Sequence, residues 1–249
     1  MAAMAKAWLP NAERVHGTPT GGALKGGAPR AVWQTTGSDP AALTARAAAE
    51  WLIAAGHSAH LVWNPLTGEV AQLLPATAAA TGQLQSEGVD RALEGRVCVL
   101  IRVVGSAQLP FTNDRLLGLE TIMAWLDSWH IPRRWPAGRP TGGETTPQRD
   151  RASQRLWSQG GHFGHSQVPG ARAQDPGAIN PEAMLELPIP RQRPASPLPA
   201  PEEVVPTLEQ PTAPKQPHEP VSTWWPESDP AESTARNERP MVVQGRGTL

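Results

Sequence analysis

One stretch decides most of what this chain can become: from Val97 to Val104 every residue is apolar except Arg102. A half-exposed strand alternates apolar with polar residues, whereas a short unbroken apolar run fits a strand covered on both faces. Coverage on both faces requires a layered architecture, with a sheet in the middle and helices on either side. Arg102 is the anomaly in this strand, near 96–104. A charge there is costly unless it is paired or opens on a cleft, and Asp175 is one acid that could meet it.

The flanking segments supply the other layers. Ala31 to Thr35 reads as a short strand. Ser38-Asp39-Pro40 offers a capping side chain followed by a first-turn proline, Leu43, Ala47, Trp51 and Ala54/Ala55 recur at helical spacing, and Gly56 is a stop. The pattern predicts a helix over 40–55 with Trp51 in the core. Residues 58–64 and 68–74 read as strands joined by the turn residues Asn64-Pro65-Leu66-Thr67-Gly68. Leu116, Leu119, Ile122/Met123, Leu126 and Trp129 form one apolar stripe, which predicts a helix over 113–129 capped by Thr112 or Asn113. A short helix at 150–158 and a strand at 161–166 complete the set. The fold class is α/β, a central mixed sheet flanked by helices.

Composition sets the borders. Fifteen of the 28 prolines lie in residues 181–249, a density that excludes long helices and central strands. That segment is expected to be a disordered tail with polyproline-II character around 187–214, and its Trp224-Trp225 pair is a candidate docking element. Residues 1–30 are Gly-, Ala- and Pro-rich and read as a flexible arm that Trp8 could anchor. The folded domain is then 31–180. Residues 1–180 carry a net charge of +3 and residues 181–249 one of −4, and neither value suggests a nucleic-acid footprint. The single Cys98 excludes an intrachain disulfide and a thiolate zinc knuckle, and its apolar setting reads as a buried thiol. No segment approaches the roughly 18 apolar residues of a membrane span, and the N-terminus lacks a signal-peptide core, so cytoplasmic synthesis is expected.

The chemistry concentrates in Gly161-His162-Phe163-Gly164-His165-Ser166-Gln167-Val168-Pro169, followed by Asp175-Pro176-Gly177. An imidazole and a carboxylate ten residues apart, the second in a Pro-Gly turn, could close on one metal ion, and neutral His nitrogen with Asp oxygen suits zinc. The alternative is a hydrogen-bonded core histidine beside a turn-capping aspartate. No serine sits in a Gly-x-Ser-x-Gly elbow.

These residues, in this order, resemble the zinc-dependent N-acetylmuramoyl-L-alanine amidases of the type 2 family, which share the peptidoglycan-recognition-protein fold. Gly164-His165 and Asp175-Pro176-Gly177 resemble that family's last two ligand positions. Ala31-Val32-Trp33-Gln34-Thr35-Thr36-Gly37 resembles its first strand, residues 58–75 its hairpin, and residues 95–105 its central strand. The similarity covers about residues 30–180 and is strongest to amidase endolysins of actinobacteria and their phages. It implies zinc held by His165, Asp175 and the residue at position 34. It implies peptidoglycan as partner, and hydrolysis of the amide between the muramic acid lactyl group and the stem peptide. Such a cell-wall hydrolase would act at the wall after release from the cytoplasm.

The departures are equally specific. The family's first ligand is histidine, and here it is Gln34, whose carboxamide is a poor zinc ligand. The family's central-strand Glu aligns with Arg102, and the basic residue two places before the last ligand with Ala173. His60 and His162 are the spare imidazoles. His60 aligns with a family position that is usually structural, and His162, three residues before His165 on a strand, points to the opposite face. The reading is a wall-directed amidase-like protein with weak zinc binding and little cleavage. The alternatives are a non-catalytic muropeptide-binding module and a scaffold led by the tail. Arg133-Arg134-Trp135 reads as a solvated loop, or as a grip on anionic wall polymer.

Overall fold

The computed structural model describes residues 5–17, 22–86, 88–142 and 151–186. They belong to the compact unit 1–194; the second unit, 195–249, lies outside them, and so does Trp224-Trp225. In chain order the elements are β1 Glu13–Arg14, β2 Arg30–Thr35, α1 Ala45–Ala54, β3 Leu61–Trp63, β4 Val70–Gln72, β5 Gln85–Ser86, β6 Val89–Asp90, β7 Cys98–Val103, α2 Leu119–Ser128, α3 Arg151–Ser158, β8 Gly161–Gly164 and α4 Pro181–Leu185. Six strands form one mixed sheet in the order β1-β4-β3-β7-β2-β8, and β5-β6 is a separate small hairpin. β7, β2, β8 and β3 run parallel, β3 and β4 antiparallel, and β1 parallel to β4.

The apolar run at 97–104 is buried on both faces, as its pattern requires. On one face Trp33, Trp63, Ile101 and Val103 pack under Leu119, Ile122, Met123 and Leu126 of α2. On the other, Val32, Leu100 and Phe163 meet Trp157 of α3, while Val62, Ala71 and Val104 meet Ala45, Ala48, Ala49 and Leu52 of α1. Burial pushes the Cys98 thiol up to about 12, so it is a packing group and no nucleophile.

Both long helices start later than their apolar patterns suggest. The Asn64 side-chain amide donates to the carbonyls of Pro40 (2.8 Å) and Leu43 (3.0 Å), which takes that turn out of α1. Thr44 then caps it, accepting from Ala47 N (3.1 Å). Likewise Leu117 N donates to Pro65 O and Trp63 Nε1 to Leu117 O, so 114–118 docks on the hairpin loop and α2 begins at Leu119. Trp51, expected in the core, is 57% exposed because it lies off the stripe of Ala45, Ala48, Ala49 and Leu52.

Two borders also move. Residues 5–17, expected as part of a flexible arm, line the sheet edge: Glu13–Arg14 is its outermost strand and Leu9 and Val15 are buried. The Gln72 side chain holds them, accepting from Leu9 N (2.6 Å) and donating to Ala7 O (3.2 Å). Trp125 Nε1 donates to Lys6 O (2.7 Å), and Trp8 serves as the face on which Arg14 lies. At the other end the domain continues past residue 180 into α4, capped by Asn180, with Pro181 and Met184 buried. A chain ending at 180 is therefore expected to melt below one ending at 186. Met184→Ala alone should cost about 2–5 kcal/mol in urea unfolding. Equal stabilities would show that α4 is no part of the core.

Candidate functional site

Strand register builds the site. Gln34 pairs with Arg102, and Arg102 with Val62 on its other side, so these three share one row of the sheet. β8 pairs with β2 up to Trp33↔Gly164, and His165 is the next residue. Continuing the alternation puts His165 on the face of Phe163, which is also the face of Val32 and Gln34. Asp175 returns to this row from a separate loop. Gly164 and Gly177 make that return possible: a Cβ on Gly164 would lie 2.6 Å from Pro176 Cδ, and one on Gly177 would collide with the Ala107 carbonyl.

The result is a tight polar cluster. His165 Nδ1 donates to Asp175 Oδ1 (2.9 Å), and Thr35 N donates to Asp175 Oδ2 (3.2 Å). Burial pushes the Asp175 carboxyl up. The His165 ring, the Arg102 guanidinium and the Thr35 N–H outweigh burial and hold it below the usual carboxylate range. Arg102 is half-buried, and burial pulls its guanidinium below its ordinary value while Asp175 opposes that shift. It donates to Gln83 Oε1 (3.2 Å) and, at 3.5 Å, to Thr35 O. Gln34 is completely buried, and neither its Oε1 nor its Nε2 has a partner among the described residues.

This donor set does not fit a catalytic zinc. Such a site needs three protein ligands of imidazole, thiolate or carboxylate type with one position open. Here one imidazole and one carboxylate are engaged with each other, and the third place holds an amide. Arg102 already supplies the positive charge that stabilises Asp175. No group of three or more His, Cys, Asp or Glu able to hold a metal occurs among the described residues.

Neither spare imidazole completes the set. His60 accepts from Leu100 N at Nδ1 (2.9 Å) and donates through Nε2 to Ala78 O (2.9 Å), so both nitrogens serve the backbone. His162 lies on the opposite face, stacked on Trp33 and Trp135, and accepts from Trp33 Nε1 (3.1 Å). Arg133 pairs with Asp127 through two nitrogens, Arg134 bonds Gln159 O, and Trp135 donates to Gln167 Oε1 (2.6 Å). That cluster therefore clamps α2 and the loop after β8, where the sequence suggested a solvated loop. Ala173 lies two residues before Asp175, and its methyl side chain brings no charge to the cluster. Gln83, which accepts from Arg102, lies in a loop without periodicity, so no sequence pattern marks it.

The chain matches no protein-family profile and no curated protein. Among solved structures it is similar to the Staphylococcus aureus hydrolase AmiA in complex with its ligand, at 11% identity and a TM-score of 0.44, over 68% of this chain and 74% of that one. It is also similar to a selenomethionine derivative of AmpD, at 16% identity and a TM-score of 0.39, over 70% of this chain and 92% of that one. Likenesses this distant carry no residue roles across.

Two titrations check the site. Burial lowers His60 to about 4 and His162 to about 3, whereas an unfolded histidine titrates near ~6.5. The unfolded chain thus binds more protons below that value. Stability should be full above about pH 6.5 and fall as pH drops toward the folded values, by up to roughly 1.4 kcal/mol per pH unit for each ring. Urea unfolding between pH 7.5 and 4.5 measures this slope, and a flat curve would contradict the burial of both rings. The Asp175 carboxyl, followed by NMR, should titrate below the ordinary carboxylate value of about 3.9. Arg102→Gln should raise it, and an unchanged value would remove Arg102 from the cluster.

Proposed function

We propose that this domain is a peptidoglycan-directed module of the type 2 amidase kind that holds the stem peptide and muramic acid of the wall without hydrolysing them. Two things support the reading. The ordered sequence blocks at 31–37, 58–75, 95–105 and 161–177 resemble that family. The observation that carries the second half is the donor set: Gln34 with both amide atoms unpartnered, Arg102 beside it, and His165 Nδ1 given to Asp175. In the family a zinc ion would polarise the scissile carbonyl and lower the pKa of its water. These residues do not make that centre, and zinc is weak or absent here. Synthesis in the cytoplasm and action at actinobacterial walls after release, in the manner of a phage endolysin, belong to the same proposal. Among the described residues no helix is long and apolar enough to cross a membrane.

A hydrolytic reading has one observation in its favour, the contact of His165 with Asp175. The two readings separate on purified actinobacterial sacculi. The chain should sediment with them, leave their turbidity unchanged, and behave the same with or without a chelator. Gln34→His combined with Arg102→Glu should raise zinc affinity by about tenfold or more and begin to clear the walls. Chelator-sensitive clearing by the unaltered chain would establish the hydrolase, and failure to sediment would remove the wall as its target.

A further inference from the structure

The domain's positive charge is concentrated in one stretch. Residues 133–160 hold six arginines against Glu144 and Asp150, a net charge of +4. The rest of residues 1–180 carries ten Lys+Arg and eleven Asp+Glu, a net charge of −1. The fold brings the described part of the stretch to one border of the sheet, where β8 is the outermost strand. His162 N donates to Arg134 O (2.9 Å), which lays residue 134 along β8. α3 turns Ser153 and Trp157 inward, and at 3.6 residues per turn Arg151 and Arg155 share its outward face. Arg139 lines a cavity of about 190 Å³ together with Thr141 and with Ser153 and Leu156 of α3.

Arg134, Arg139, Arg151 and Arg155 are exposed, and none of them forms an ion pair among the described residues. Arg134 and Arg139 each donate to a backbone carbonyl, of Gln159 and of Ile179, which leaves their charge uncompensated. Other arginines are paired: Arg30 and Arg91 with Glu94, Arg46 with Glu13 and Glu50, Arg133 with Asp127. Like charges four residues apart on a helix repel, and a polyanion relieves that repulsion. Guanidinium groups match phosphate oxygens through charge-assisted hydrogen bonds. A partner with phosphates repeated along a flexible chain meets several of these arginines together, and the Thr141 hydroxyl adds a donor in the cavity. A folded protein partner would need an apolar centre to its interface, whereas the outward side of α3 presents Arg151, Ala152, Gln154, Arg155 and Ser158.

We infer that this arginine border of β8 and α3 binds a phosphodiester-linked glycopolymer of the cell wall. The wall as the place of encounter rests on the wall-directed reading above. The groups used are other than Gln34, Arg102, His165 and Asp175.

Sedimentation of the full chain with two preparations of actinobacterial sacculi tests it, one intact and one stripped of phosphodiester polymers by hydrofluoric acid. Intact sacculi should bind the chain about tenfold more tightly, and that surplus should fall about tenfold or more between roughly 50 and 200 mM salt, because released counterions drive it. Arg139→Gln, Arg151→Gln and Arg155→Gln together should remove most of the surplus at an unchanged melting temperature. Arg139→Lys, Arg151→Lys and Arg155→Lys together should keep part of it. Equal binding to both preparations overturns the inference and leaves the wall reading standing. Binding to intact sacculi alone supports the inference and removes peptidoglycan as a ligand, and binding to neither removes both readings. A surplus that survives the triple glutamine variant, or tighter binding to single-stranded DNA than to the isolated polymer, also overturns the inference.

Discussion

Everything in this domain hangs on the parallel pairing of β2 with β7, residue for residue from Arg30↔Cys98 to Thr35↔Val103. Both strands lie inside the sheet, and their middles, Ala31 to Trp33 on β2 and Val99 to Ile101 on β7, are apolar and buried on both faces. The pairing also sends Trp33 and Ile101 toward α2 and Val32 and Leu100 toward α3. The same alternation fixes where polarity is tolerated. In these two strands polar side chains stand at the ends, Arg30 at the start of β2 and Gln34, Thr35 and Arg102 toward the carboxyl ends, where the fully buried Gln34 pairs with Arg102. Ligands of open α/β sheets sit at such strand ends, where loops from different strands can converge.

How much of this was legible follows from the kind of force involved. Unbroken apolarity announced β7, and periodicity announced α2 and the stripe on it. Helix starts were not legible, because the Asn64 amide takes the Pro40 and Leu43 carbonyls and no local pattern records a contact twenty residues away. Strand β1 is two residues long and depends on Gln72, again a long-range partner. Met184 was hidden because proline density argued against order in that region, while a single buried thioether and a proline-started turn suffice to dock it. The His165–Asp175 spacing and the odd offset that turns His162 to the opposite face could be read from residue numbers alone. The orphaned amide of Gln34 could not, since lack of a partner is a property of three dimensions.

The cluster keeps a mostly buried carboxylate ionised with groups from the chain itself. A carboxylate at the end of a sheet needs positive charge and N–H donors to stay ionised when mostly buried. His165, Thr35 and Arg102 supply both, so Asp175 is stabilised by groups the chain carries itself. A divalent ion would have to compete with a guanidinium tethered to β7 and with a hydrogen bond already formed.

That independence from metal is the central claim, and thermal unfolding of the full chain tests it directly. A ligand that binds only the folded state raises the melting temperature with its concentration. The melting temperature should be the same in chelator, in buffer and in excess zinc. A transition that falls in chelator and climbs with added zinc would show that His165 and Asp175 close on a metal after all.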